Sequence, residues 1–100
     1  MTVKQLIACL GSNDQTARMN AAAVLAAIGD EAAPAVPALI DLLKSEDEKG
    51  QKLAAWTLGE IGTAAAKAVP VLIELAEEDD VAEVAIAALE KIDVIESEAA

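Results

Sequence analysis

Residues Ala22–Leu43 read AAVLAAIGDEAAPAVPALIDLL, and residues Ala55–Leu75 read AWTLGEIGTAAAKAVPVLIEL. The second stretch repeats the first. Leu25, Ile28, Gly29, Val36, Pro37, Leu39 and Ile40 return as Leu58, Ile61, Gly62, Val69, Pro70, Leu72 and Ile73, each 33 residues on. A fixed period in this range marks a solenoid, in which one supersecondary unit stacks on its own copies. The reading is therefore an all-α, right-handed α-solenoid of helix pairs with about six helices.

Working outward, the same pattern reaches both ends. Val3, Leu6, Ile7 and Leu10 fall at i, i+3, i+4, i+7, one helical stripe, and shifted by 33 they become Val36, Leu39, Ile40 and Leu43. The chain thus opens on the second helix of a unit. A turn at Gly11–Asp14 leads to a helix over about 14–28, closed by Gly29. A short turn at Asp30–Ala33 precedes a helix over about 34–44, with Pro37 in its first turns. Ser45–Glu48 caps a helix over about 47–61, closed by Gly62, and a further helix covers about 65–76. Glu77–Asp80 caps a last helix over about 80–92. There the step shortens to 31 residues, since Ala54, Leu58 and Ile61 become Ala85, Leu89 and Ile92. Val94 and Ile95 leave room for one more turn, and Ser97–Ala100 is expected to fray. The predicted organisation is one domain, 1–100, with a half unit at 3–10, repeats at about 14–44 and 47–77, and a C-terminal half unit at about 80–95. The predicted core is Leu25, Ile28, Leu39, Ile40, Leu43, Leu58, Ile61, Leu72 and Ile73.

The apolar residues are almost all Ala, Val, Leu and Ile; Phe and Tyr are absent and Trp56 stands alone. Short side chains and abundant alanine predict closely approaching helices. A formal charge of −11 opposes binding to nucleic acid, whose phosphates it would repel, and to anionic membrane surfaces. It favours solubility and a basic partner. Cys9 is the single cysteine, so no intrachain disulfide forms, which suits a reducing, cytoplasmic setting. No signal-like stretch opens the chain, and no apolar run approaches the length needed to span a membrane.

The two ends depart from the repeat. Glu90 stands where Ala26 and Gly59 stand earlier, Asp93 replaces Gly62, Asn20 corresponds to Leu53 and Val84, and Gln5 corresponds to Ala38 and Val71. Polar residues at such places are what the terminal faces of a capped, complete solenoid carry, and completeness is the expectation here. A piece cut from a longer array would carry apolar residues there instead.

These residues resemble the HEAT-repeat superfamily, and within it the short HEAT-like repeats of phycobilisome lyases. That unit looks like D-x-x-V-R-x-x-A-A-x-A-L-G-x-I-G followed by A-V-P-x-L-I-x-L-L. The acid is met by Asp14, Asp47 and Glu78, and the Ala-Ala pair by Ala21-Ala22 and Ala54-Ala55. Leu58-Gly59-Glu60-Ile61-Gly62 meets L-G-x-I-G, Leu25 to Gly29 meets it partly, and Ala35–Ile40 and Ala68–Ile73 both meet A-V-P-x-L-I. The likeness covers about residues 3–92. It implies the fold strongly and function weakly, since such repeats serve many roles. The family's Val-Arg survives only as Ala17-Arg18, so a ladder of Asp–Arg bridges between repeats is expected to be incomplete. The absence of histidine excludes the di-iron HEAT-like hydroxylases, whose metals sit on His-Glu pairs.

No constellation in the sequence points to catalysis. Glu77–Asp80 is a dense carboxylate run, but it lacks calcium-loop spacing, and acids at a helix start complement the helix dipole. Cys9 has no histidine partner and aligns with Leu42 and Leu75, which makes it a small core residue. No catalytic, cofactor-binding or metal residue is assigned, and no cofactor is implied.

Two features point to a protein partner. Trp56 aligns with Ala23 and Ala87, and on a helical wheel it points away from Ala54, Leu58 and Ile61, beside Lys52 and Glu60. Either its ring folds across Ala23 or Ala87 of a neighbouring helix, or it is an exposed anchor for a partner or a second copy. The other feature lies on the second helix of each unit, which in HEAT-like solenoids lines the concave side. Opposite its core stripe stand Ala38 and Asp41, Val71 and Glu74, and Gln5 and Ala8. This makes a strip of small residues flanked by carboxylates, with the acidic turns around Glu46 and Glu78 along one edge. The expected function is a non-enzymatic protein–protein interaction module or small scaffold, monomeric or weakly dimeric, taking a basic partner on that strip. The resemblance also allows a lyase-like or chaperone-like accessory role in cofactor attachment.

Overall fold

A computed structural model describes residues 2–99, with side chains described as far as Ile92. Helices occupy α1 (Val3–Leu10), α2 (Gln15–Ile28), α3 (Val36–Lys44), α4 (Glu48–Ile61), α5 (Val69–Leu75) and α6 (Ala82–Ala99). No strand occurs among the described residues. Two 3-10 links, Gly29–Ala35 and Gly62–Ala68, join α2 to α3 and α4 to α5, so the chain forms four continuous helical runs rather than separate rods.

The starts of α1, α2 and α4 are capped by local side chains. Asp14 accepts from the Thr16 amide at 3.0 Å, and Asp47 from the Lys49 amide at 3.2 Å. Each satisfies one of the amides that an α-helix leaves unpaired at its start. At α1 a capping box forms. The Gln5 amide donates to Thr2 Oγ1 at 3.1 Å, and the Thr2 amide donates to Gln5 Oε1 at 2.8 Å. The glycines at the other ends are required by backbone geometry. Gly29 has φ 59° and Gly62 φ 82°, with ψ −122° and −142°, a region essentially closed to other residues. Each glycine amide still donates to its helix, to the carbonyls of Leu25 and Leu58.

The helices pack in two layers. The chain order α2, α4, α6 is also the packing order of one layer, and α1, α3, α5 follow each other in the second. Across the layers α1 packs on α2, α3 on α4, and α5 on α6, each pair joined by a tight turn. The result is a slab of 39 × 29 × 16 Å. One continuous core runs through it, with Leu6, Leu10, Leu25, Leu39, Leu43, Leu58, Ile61, Leu72, Leu75 and Ile92 buried among alanines. Small residues set the spacing. A Cβ built on Gly59 would lie 3.0 Å from the Ala88 Cα, so α4 and α6 touch almost backbone to backbone there. Thr57 is the one buried polar side chain among the described residues. Its hydroxyl donates to the Leu53 carbonyl at 2.7 Å and so is satisfied.

Several expectations need correction. Ile73 was assigned to the core, but it is 53% exposed. Its repeat equivalent, Ile40, is half-buried beside Ala64 of the second 3-10 link. α6 stays helical to Ala99 with no such link after it, so among the described residues Ile73 lacks the cover that Ile40 has. Ile28 and Ile40 are half-buried rather than fully so. The turn expected at Asp30–Ala33 is helical, because 3-10 geometry carries the chain round the corner while satisfying its own backbone. The fraying expected from Ser97 is not seen as far as Ala99; Ala100 lies outside the described residues. Asp93 sits where Gly62 ends α4, and among the described residues only glycines take positive φ, so the stop signal is lost and the helix runs on.

The 31-residue step is absorbed at the helix ends. α5 stops at Leu75, and α6 begins only at Ala82, after a turn in which Val81 is buried at the place of Gly50. Asp80 therefore does not start the helix as expected.

By length and composition the continuous run Gln15–Lys44 is apolar enough to cross a membrane, contrary to the reading of the sequence. That run is not straight. It bends at Gly29 through the 3-10 link, and Ala21, Ala22, Leu25, Ala35, Leu39 and Leu43 from it are buried in the core.

Candidate protein-interaction surfaces

The α1–α3–α5 layer carries the predicted strip. Asp41 and Glu74 are exposed, and Ala38 and Val71 are half-buried between neighbouring helices. They lie in two adjacent grooves. One, about 230 Å³, runs between α1 and α3 and is lined by Ile7, Leu10, Ala38 and Asp41. The other, about 210 Å³, runs between α3 and α5 and is lined by Leu43, Val71, Glu74 and Glu78. Two details differ from expectation. Lys44 also lines the second groove, so the strip is not purely acidic. Gln5 is exposed as expected, yet its amide side chain is engaged in the capping box of α1. Ala8 is exposed beside it. Acidity grows along the layer, from Lys4 and Gln5 on α1 to the exposed Glu74, Glu77 and Glu78 of α5 and its following turn.

A third groove on this side, about 670 Å³, crosses from α3 to the second 3-10 link. Val36, Ile40, Asp41, Ala64 and Lys67 line it, so Asp41 borders two grooves at once. The sequence reading missed it, because it depends on where the 3-10 links pack.

The α2–α4–α6 layer holds Trp56, which is 44% exposed. The ring lies on α4 between two depressions. On one side it borders a narrow cleft with Val84, Ala87 and Ala88 of α6. On the other it borders a groove of about 400 Å³ with Met19 of α2 and Leu53 of α4. Trp56 thus shares the cleft with Ala87, and nearly half of its side chain is open. Lys52 and Glu60 flank it one turn away on either side, as the wheel requires. Lys52 pairs with Glu48 at 3.2 Å, and Glu60 pairs with Lys91 of α6.

Of the expected Asp–Arg ladder, one rung is present among the described residues. Arg18 reaches Asp47 of the next unit at 3.7 Å. At the equivalent position Gln51 instead donates its side-chain amide to the Leu43 carbonyl at 3.1 Å, closing the end of α3. The third copy has Ala82 there.

Cys9 is half-buried, and the Glu77–Asp80 carboxylates are all exposed around their turn. Among the described residues no three acidic or cysteine side chains converge on one point.

Comparison with curated proteins and with solved structures finds no match. The family model for HEAT repeats matches residues 3–93, which takes in all of the stacked helices up to the point where Asp93 replaces the terminal glycine. With its helix pairs stacked in sequence order and its motif spanning nearly the whole chain, the protein belongs to the HEAT-repeat family.

Proposed function

We propose that the chain is a non-enzymatic protein-interaction module or small scaffold whose partner lies along the α1–α3–α5 layer. HEAT repeats commonly serve as protein-interaction modules. In this reading the layer is the concave side of a right-handed solenoid, the repeats are the units at about 14–44 and 47–77 within one domain, and the motifs place the chain with the short phycobilisome-lyase-type repeats. The protein works in the cytoplasm as a monomer or weak homodimer.

One observation carries the reading. Asp41 and Glu74 are exposed at equivalent places on adjacent helices, Asp41 beside a shallow, mainly apolar groove with Ala38, and Glu74 beside a more polar one with Val71, Lys44 and Glu78. Small side chains let a partner's backbone approach, and two carboxylates in register favour a segment carrying cations at matching spacing. Lys44 lines the groove beside Glu74, so a partner seated there would also carry an acid or polar group.

The test is binding of a basic amphipathic helical peptide to wild-type protein and to the Asp41→Lys, Glu74→Lys double variant. The expected result is an affinity that falls with salt, since exposed charges are screened beyond about 8–10 Å at physiological ionic strength, and that disappears in the double variant while the helical spectrum stays intact. Wild-type affinity in the double variant would remove this layer as the site.

A further inference from the structure

The groove between α2 and α4 is lined by cations and apolar side chains, in a chain that is otherwise rich in carboxylates. Its floor is Met19, Leu53 and Trp56; Met19 is 50% exposed, and Trp56 is nearly as open. Its rim is Arg18, Lys49 and Lys52, and no carboxylate lines it. Three of the seven basic residues of a chain with net charge −11 thus face one apolar groove. Two of these cations are paired at the rim by acids just outside the groove, and Lys49 is the one left without a carboxylate within 4.0 Å among the described residues. Asp14 and Asp47 cap α2 and α4, Asp47 also meets Arg18, and Glu48 meets Lys52.

We propose that this groove is a second docking site, and that its occupant is an acidic amphipathic helix of a partner protein. The apolar stripe of such a helix would lie along the floor between the two parallel walls, and its carboxylates would meet the cationic rim. An exposed Trp and Met at the floor supply the large, adaptable contacts that interface cores favour. Charge complementarity selects the sign of the partner, since an acidic helix meets attraction here and repulsion over the carboxylate-rich remainder of the surface. The site is separate from the acidic strip. The α2–α4–α6 layer faces away from α1, α3 and α5, so two partners of opposite charge could be held at once, as a scaffold requires.

Trp56 is the only tryptophan, and its emission therefore reports on this groove alone. The probes are two synthetic helical peptides with the same leucine stripe, one flanked by glutamates and the other by lysines. Titration of the full chain with the glutamate peptide should shift Trp56 emission to the blue. That binding should weaken as salt rises from about 0.1 M, where the screening length is about 10 Å, to about 1 M, where it is about 3 Å. Lys49→Glu should weaken it about tenfold or more, and Met19→Ser should do the same without altering charge. Both side chains are exposed, and a helical circular-dichroism spectrum confirms that each variant is folded. The lysine peptide should leave the emission unchanged even where it binds the acidic strip. The proposal is overturned if the glutamate peptide leaves the emission unmoved, if the two peptides shift it equally, or if both variants bind as wild type does. A blue shift that grows with protein concentration in the absence of peptide would equally overturn it, by showing that a second copy occupies the groove.

Discussion

Helices α4 and α6 are copies of one element, and they differ in almost everything that neighbours decide. α4 is packed between α2 and α6, while α6 packs on α4 and α5. On α4, Ala55 is buried against the next unit; its equivalent on α6, Ile86, is 47% exposed. Gly59 presses on Ala88, whereas its equivalent Glu90 is exposed. α4 starts at the Asp47 cap and stops at Gly62; α6 starts without an aspartate cap and runs past Asp93. In the second layer Ile40 is half-buried and Ile73 open for the same reason. In a repeat protein a residue's burial belongs to the stack, and the same letter at the same phase has different worth in the middle and at the end.

The largest effect should come from the middle of the stack. Leu58 is fully buried, so Leu58→Ala should destabilise by about 2–5 kcal/mol. A chemical-denaturant melt showing a loss near zero would mean that α4 is not the central helix. Next comes the close approach at Gly59. Gly59→Val adds bulk 3.0 Å from the α6 backbone and should cost about 1–3 kcal/mol by overpacking. Unchanged stability there would mean that α6 can slide off α4 freely.

A matched pair then sharpens the contrast between copies. Ile40→Ala should cost about 1–2 kcal/mol, since half of its side chain leaves water on folding. Ile73→Ala should stay within about 0.5 kcal/mol, as exposed substitutions do. Equal losses at both sites would indicate that something covers Ile73 in solution. The last comparison concerns the caps. Asp47→Ala removes both the bond to the Lys49 amide and the partner of Arg18, and should cost about 0.5–2 kcal/mol. Asp80→Ala should cost less than about 0.5 kcal/mol, because α6 begins only at Ala82 and Asp80 is exposed in the turn before it. If thermal melts rank these two in the other order, the turn before α6 is capped after all.

The candidate surfaces were legible in unequal degree. Asp41 and Glu74 could be placed on one layer because they share a phase in the 33-residue period, and a helical wheel was enough to turn Trp56 away from the core. The groove rimmed by Arg18, Lys49 and Lys52 was not legible. Those residues come from two helices, and their convergence depends on how α2 and α4 lie side by side. Lys44 was missed in the acidic strip for a related reason, since it enters the groove from the end of α3 rather than from its face.

Periodicity, capping residues and glycines are local properties of the chain, and they alone determined that this protein is a stack of helices, where α2 and α4 start and stop, and which stripe of each faces inward. Asp14, Asp47, Gly29 and Gly62 act through bonds and dihedrals within a few residues of themselves, so no neighbour is needed to read them. What only the tertiary structure decided is exposure: that Ile73 and Ile86 stand open while Ile40 and Ala55 do not, that the corners between helices are 3-10 links, and that three cations meet over Trp56. Burial is a relation between surfaces, and a chain whose units repeat carries nearly the same letters whether or not another unit covers them.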